Sequence, residues 1–389
     1  MSEKRKDDKG RVLKDGESQR KDGRYQYRYT DMKGKRRCVY SLSLLDLREK
    51  EDQIRREVFD KGLDYCAGEI RVLDLVEKYL ATKQGMRYNT RIGYDYVLGI
   101  LKEEDFAYRQ IRTIKTSDVK AWFISLSQKG KRYSTIQSIR GVLKPAFDMA
   151  LEEDVLSKNP FAFPLTKVVP DDTIERRPLT EDQEKAFLEY LQGDLCRLRY
   201  YDPVVILLGT GLRISELCGL TISDLDFSRR CIHVERQLAR TQHCEYYLQK
   251  PKTESGKRII PMSDDVYDAL KRVLRNRPKP KIEVSVDCQS GFLFLDKDKK
   301  PKVAGHFEHA LKRIVEKYNA EHCEQIVVTP HILRHTFCTK LARAGMPVKE
   351  LQYLMGHADV ETTLRIYTHM DYYAAQKSFQ KYSALARIG

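Results

Sequence analysis

Two arginines, two histidines and a late tyrosine stand in fixed order in the second half of this 389-residue chain. Arg213 lies in Gly211-Leu212-Arg213-Ile214-Ser215-Glu216-Leu217. His331 and Arg334 lie in TPHILRHTFCTKLARAGM, and His357 and Tyr367 in LMGHADVETTLRIYTHM. These residue types suit attack on a phosphodiester by a phenol. Arginines clamp phosphate oxygens in fork geometry, and histidines donate hydrogen bonds to the same group. The tyrosine would be the nucleophile that becomes joined to the phosphate. Such chemistry needs no metal-ligand cluster, and none is evident in the sequence.

A phosphodiester yields only when its charge is neutralised, the nucleophile is in line and the leaving 5′-oxygen receives a proton. Arg213 and Arg334 meet the first need. Either alone would more often be a surface ion pair, but His331 three residues before Arg334 shares a helical face with it. Lys252, beside the turn Thr253-Glu254-Ser255-Gly256, is the candidate proton donor, with Lys250 and Lys257 as competitors. His357 follows Leu354-Met355-Gly356 and is a further hydrogen-bond donor to phosphate. Tyr367 is one of 23 tyrosines and is singled out only by its company, with Tyr372 and Tyr373 as decoys. A phenol of pKa ~10 must lose its proton during attack or be helped by nearby positive charge. Glu216, three residues past Arg213, is placed to orient an arginine. His335 lies about 100° round the helix from Arg334 and reads as structural.

The elements that must position these residues fall into three segments. Residues 1–66 open with a basic, turn-rich stretch, fourteen Lys/Arg against seven Asp/Glu over residues 1–37. Arg24–Tyr29 alternates aromatic and polar residues as a strand does, Met32–Lys35 is a turn, and Arg36–Ser41 a partner strand. Leu44 to Asp60 reads as a charged helix. A small three-stranded sheet backed by one helix can enter a major groove. Its candidate DNA contacts are Arg24, Arg28, Lys35, Arg36 and Arg37; alternatively the tyrosines pack on the helix and the charges are a solvated face.

Residues 69–163 turn helical, with N-caps expected at Asn89-Thr90, Ser117-Asp118 and Ser134-Thr135. Around the last of these helix starts, Lys131, Arg132, Gln137 and Arg140 are candidate DNA contacts, to phosphate at the helix N-terminus or to base edges. Asn159-Pro160 ends this unit, and 164–172, with Pro170, reads as a linker. Residues 173–389 begin with a capping box at Thr180 and Gln183. An apolar helix over Tyr201–Thr210 delivers Arg213. Strands follow at Cys231–Val234, Glu245–Leu248 and Lys257–Met262, with helices beyond Asp264.

The bulk composition agrees with a polyanionic partner. Lys+Arg 71 against Asp+Glu 56 gives a net charge of +15. No apolar run approaches the ~20 residues of a membrane span. The charged start MSEKRKDDKGR is not a secretory signal. Nine cysteines without CxxC spacing argue against a disulfide framework and for reduced thiols.

Together these motifs resemble the tyrosine recombinase (phage-integrase) family: TGLRISEL, PKTESGKR, HILRHTF, LMGH and TTLRIYTH. The N-terminal stretch through DGRYQYRY and the middle segment through KNPFAF are similar to integrases of conjugative transposons. The resemblance implies an α+β, mainly helical multidomain fold: a small N-terminal arm-site-binding sheet and helix, an all-helical core-site-binding domain and a mixed α/β catalytic domain. It implies Arg213, Lys252, His331, Arg334 and His357 as the active site and Tyr367 as the residue forming a 3′-phosphotyrosine, with strand exchange through a Holliday junction. It further implies site-specific excision and integration of a mobile element, with neither metal nor other cofactor and no ATP. The implied partners are double-stranded DNA at core and arm sites, a tetramer on that DNA, an excisionase and a DNA-bending accessory protein, in the bacterial cytoplasm. Residues 375–389, with Phe379, Tyr382, Leu385 and Ile388, suit docking on a neighbouring protomer or packing on their own core. A type IB topoisomerase would share the chemistry without partner exchange, and an architectural DNA-binding protein would share the fold without needing Tyr367. A basic metabolic enzyme is disfavoured, because the chain has no Gly-rich nucleotide loop.

Overall fold

The structure, a computed structural model, describes residues 5–30, 36–60, 70–173, 177–250, 256–367, 376 and 380, without the side chains of 55–60 and 365–367. The chain divides into two compact units, Met1–Ile174 and Glu175–Gly389.

The first unit begins with an antiparallel sheet in the order β1 (Glu17–Gln19), β2 (Tyr25–Thr30), β3 (Arg36–Ser41), followed by α1 (Leu44–Asp60). Alternation along β2 sends Tyr25 and Tyr27 inward against Leu44, Leu47 and Ile54. Five buried side chains make a small core, so polar staples assist it. Buried Glu17 accepts two bonds from Arg48 (2.9 and 3.1 Å), tying α1 to β1. Arg28 and Arg36 lie on the outward face, since Arg28 pairs with Cys38 and Thr30 with Arg36 across the strands. Arg37 pairs with Tyr29 in register and therefore sits on the opposite, helix-covered face. Arg24 is exposed and bonded to Asp22 at 2.8 Å. Lys35 and the Met32–Lys35 turn lie outside the described residues.

Four helices follow: α2 (Val72–Ala81), α3 (Tyr88–Lys102), α4 (Thr116–Gln128) and α5 (Tyr133–Glu152). Their apolar faces close over Phe106, Trp122, Phe123, Phe147 and Phe161. The expected N-caps are displaced. Helices α3, α4 and α5 start one residue after Arg87, Lys115 and Arg132, so Asn89, Ser117 and Ser134 lie inside the first turn. At α4 the cap works in reverse: the Asp118 carboxylate, three residues in, accepts from the Lys115 amide at 2.8 Å. Arg140 has backbone partners within the unit. Its guanidinium donates to the carbonyls of Phe161 (3.2 Å) and Phe163 (2.6 Å), so it holds the end of this unit together. Lys131 is half-buried, while Arg132 and Gln137 are exposed at the start of α5. Of the stretch read as linker, Leu165 and Val169 are buried in the helical core.

The second unit carries α6 (Glu181–Gln192), α7 (Leu195–Leu198), α8 (Tyr201–Thr210) and α9 (Ile214–Gly219). The capping box at Thr180 and Gln183 forms with bonds of 3.2 and 3.1 Å. Next come an antiparallel sheet β4 (Leu225–Asp226), β5 (Cys231–Val234) and β8 (Arg258–Pro261), with β5 central, and a hairpin β6 (Gln237–Arg240), β7 (Tyr246–Gln249). The short strands β4 and β6 carry too little alternation to be read from sequence. Helices α10 (Asp264–Asn276), α11 (Ala304–Glu321), α12 (Pro330–Arg343), α13 (Val348–Met355) and α14 (Val360–Tyr367) complete the unit. Helix α8 is apolar almost all round and lies within the core, which explains its unbroken hydrophobic run. Among the described residues no helix is long and apolar enough to cross a membrane.

Buried Asn159 is the polar centre of the helical core. Its amide donates to Lys144 O (2.9 Å) and Asp148 Oδ1 (2.6 Å), and its oxygen accepts from Phe161 N (2.8 Å). Asn159→Ala is expected to destabilise this unit by about 1–3 kcal/mol, because buried groups lose their partners. Urea unfolding followed by the fluorescence of Trp122, the chain's one tryptophan, reads this directly.

Candidate functional site

Helix α8 ends at Gly211, which adopts φ 63°. A Cβ there would lie 2.4 Å from the Phe337 ring, so glycine is required by both conformation and space. This tight ending points Arg213 away from the buried helix. Arg213 then caps α9: its amide donates to Glu216 Oε2 (2.9 Å) and its guanidinium to Glu216 Oε1 (2.7 Å).

Glu216 is fully buried and bonded to a second arginine. Arg258, on an inward position of β8, donates to both carboxylate oxygens at 3.2 and 2.8 Å. The Arg258 Nε donates to Leu354 O at 2.7 Å, and another of its nitrogens to Gly256 O at 3.2 Å.

Arg334, in the second turn of α12, is buried and donates to Gly211 O at 2.6 Å and to Met355 O. Arg213 reaches Gly356 O at 3.0 Å. The consecutive carbonyls of 354, 355 and 356 at the C-terminus of α13 therefore accept from three different arginines. Helix ends leave such carbonyls without intrahelical partners and carry partial negative charge, so cations settle there.

Charge at this cluster is strongly perturbed. Burial opposes ionisation of Glu216, yet its bonds to Arg258 and the charges of Arg258, Arg213 and Arg334 prevail and hold its pKa at about 2. Burial and the charge of Arg213 push Arg334 down to about 9, which leaves it protonated at neutral pH. His357 follows Gly356, the left-handed residue that ends α13. Burial and the charges of Arg334 and Arg213 push it down to about 4, so its ring is neutral at pH 7. Its Nδ1 lies 3.0 Å from Thr363 Oγ1 on α14. Three guanidiniums against one carboxylate leave a net positive locus, and Arg213 keeps about a third of its side chain exposed. An anion with several oxygens would relieve the crowding of like charge.

The structure thus brings Arg213, Arg334 and His357 together. His331 is exposed in the first turn of α12, one turn before Arg334. Tyr367 ends α14, a helix that starts three residues after His357. Lys252 lies outside the described residues, as do Tyr372, Tyr373 and nearly all of the 375–389 segment; the competitors Lys250 and Lys257 are exposed. Sequence reasoning quoted Arg258 within PKTESGKR without giving it a role. An arginine at a position in strand register with inward Ile260 was the available signal, since a buried arginine needs an acidic partner.

Comparison with known proteins gives a concordant result. Residues 177–373 match the model of the phage integrase family, and residues 1–58 that of the DNA-binding domain of Tn916 integrase. The chain is 42% identical to the transposase from transposon Tn1545 of Streptococcus agalactiae, over 98% of this chain and 97% of that protein. It is equally identical, over the same shares, to the transposase from transposon Tn916 of Enterococcus faecalis. Among solved structures, Tn1549 transposon integrase in complex with a circular intermediate DNA is 42% identical, covering 80% of this chain and 99% of that one, with a TM-score of 0.76.

The depressed groups fix how stability responds to acid. A lowered folded-state pKa adds stability above the ordinary value that is lost as pH falls toward the folded one. His357 therefore costs stability between about pH 6.5 and 4, and Glu216 between about 4.5 and 2. Glu216→Gln should remove the second loss and, by orphaning buried Arg258, destabilise the unit at pH 7 by about 3–5 kcal/mol. Urea titrations at several pH values, wild type against variant, check both signs.

Proposed function

The chain belongs to the phage integrase family of tyrosine recombinases, and we propose that its arginine cluster performs the DNA cleavage and rejoining by which it excises and integrates a conjugative transposon. Arg213 and Arg334 hold the non-bridging oxygens of the scissile phosphate, and His331 and His357 donate hydrogen bonds to it. The Tyr367 oxygen attacks phosphorus as its phenolic proton passes to solvent, the bond to the 5′-oxygen breaks, and Lys252 supplies that oxygen's proton. The product is a 3′-phosphotyrosine and a 5′-hydroxyl. Attack by the 5′-hydroxyl of a partner strand reverses the step and frees Tyr367. One phosphoester replaces another each time, so no external energy source enters.

The observation that carries this reading is the convergence of Arg213 and Arg334 on the carbonyls of Gly356 and Met355, directly before His357, with Arg213 also held by buried Glu216 and with α14 and Tyr367 following. Relatives point the same way: Tn1549 integrase is bound to circular-intermediate and transposon right-end DNA. Similarity of residues 1–58 to a transposon integrase DNA-binding domain favours recombination over supercoil relaxation.

Within this reading residues 1–66 take arm sites, 69–163 take the core site, 164–172 join them to the catalytic domain 173–389, and four protomers assemble on DNA in the cytoplasm. Arg28 and Arg36 suit arm-site contact because they share the outward sheet face; Arg132 and Gln137 suit core-site contact because they are exposed at the start of α5. An excisionase and a bending protein set direction.

Wild-type protein incubated in EDTA with nicked DNA from the element's ends should form an SDS-resistant adduct, and Tyr367→Phe should form none. An adduct that persists in the variant would move the nucleophile to Tyr372 or Tyr373. Clear DNA binding without any adduct would overturn the enzymatic reading.

A further inference from the structure

Thr363 is fully buried on α14, one turn before Tyr367. Its hydroxyl lies 3.0 Å from His357 Nδ1 and has no other hydrogen-bond partner among the described residues. Helical threonines commonly turn their hydroxyl back to the carbonyl four residues earlier. Thr210 does so to Ile206 O (2.5 Å) and Thr336 to Ile332 O (2.9 Å). Thr363 makes no such bond to Asp359, so its proton goes to the imidazole nitrogen. A buried hydroxyl needs an acceptor, and a neutral ring offers one lone pair. With Nδ1 accepting, the ring's own proton must sit on Nε2. The neighbouring guanidiniums of Arg334, Arg213 and Arg258 disfavour a second proton, while Glu216 opposes them.

We propose that Thr363 is a positioning residue for strand cleavage: its hydroxyl fixes the His357 tautomer, presenting Nε2–H as the donor, and ties the helix that carries Tyr367 to the phosphate-binding arginines. This deepens the proposed function and rests on it for the role of His357. The same bond serves two ends. It sets which ring nitrogen donates, and it makes the placement of α14 depend on the ring that neighbours the phosphate. A threonine is suited to this, because its branched side chain leaves few rotamers in a helix. Hydroxyl loss would free the ring to carry its proton on either nitrogen.

The test uses the full-length chain, single-turnover adduct formation on nicked element-end DNA at saturating protein, and nitrogen-15 NMR of histidine-labelled protein without DNA. Wild type should show His357 protonated on Nε2. Thr363→Val, which keeps the shape and removes the hydroxyl, should populate the other tautomer and slow adduct formation ~10- to 100-fold, the loss typical when a functional histidine loses its orienting partner. DNA affinity should not change, and Thr363→Ser should restore both tautomer and rate. In a His357→Ala background, Thr363→Val should add no further slowing. Wild-type cleavage by Thr363→Val, an Nδ1–H tautomer in the wild type, or equal slowing in both backgrounds would overturn the proposal. Thr363→Ser and the wild-type tautomer decide the matter even where the valine variant fails to fold. A wild type that makes no adduct at Tyr367 would instead refute the assigned reaction, leaving the tautomer measurement to judge Thr363 separately.

Discussion

Three arginines from three separate elements donate to consecutive carbonyls at the end of α13, around a single buried carboxylate. Everything else at the site depends on that arrangement. Arg213 arrives from the end of α8, Arg258 from β8 and Arg334 from α12, so the chain must fold across more than 120 residues before the cluster exists. Neither the carboxylate nor the helix end would tolerate burial alone. A buried Glu216 without Arg258 would keep only the partly exposed Arg213 as counter-ion, and the α13 carbonyls without the arginines would be orphan acceptors. The arginines donate to both, and the guanidiniums are thereby held rigid before any ligand arrives.

Preorganisation of this kind is what electrostatic catalysis requires. Donors already aimed and desolvated need no rearrangement when charge develops on a phosphate, and their effect is stronger in a low dielectric than in water. The division of labour among the arginines follows from exposure. Arg258 is wholly buried and bonded through each of its guanidinium nitrogens, so it serves the frame; Arg213 reaches the surface and remains available. His357 stays neutral in this field, which suits a hydrogen-bond donor rather than a charge.

Much of the site was legible in the sequence because its chemistry demands rare residue types in a fixed order. Arg213, Arg334 and His357 were found that way, and Glu216 was read as an arginine's partner. The apolar run 201–210 and the alternation at 25–29 gave α8 and β2 because burial imposes those periods. Arg258 and Thr363 escaped because their importance lies in partners 42 and 6 residues away, and spacing along the chain does not record which side chains meet across a fold. The carbonyl partners of Arg140 escaped for the related reason that a basic residue near a helix start serves carbonyls as readily as phosphates. Helix starts slipped by a residue or two where the caps lack the usual hydroxyl or carboxylate and the backbone carries the turn.

The central claim is that the buried Glu216–Arg258 pair aims the phosphate-binding groups without touching the phosphate. Replacing both partners at once, Glu216→Leu with Arg258→Met, removes the fully buried pair together and leaves only the partly exposed Arg213 without its carboxylate, so it spares the fold the cost of breaking the buried pair singly. The direct measurement is the single-turnover rate of covalent adduct formation by this double variant, on saturating nicked DNA, with thermal unfolding run alongside. The account predicts a folded protein that still binds DNA but cleaves it at least ~100-fold more slowly, because Arg213 and the end of α13 lose their common anchor. A folded double variant that cleaves at the wild-type rate would contradict it.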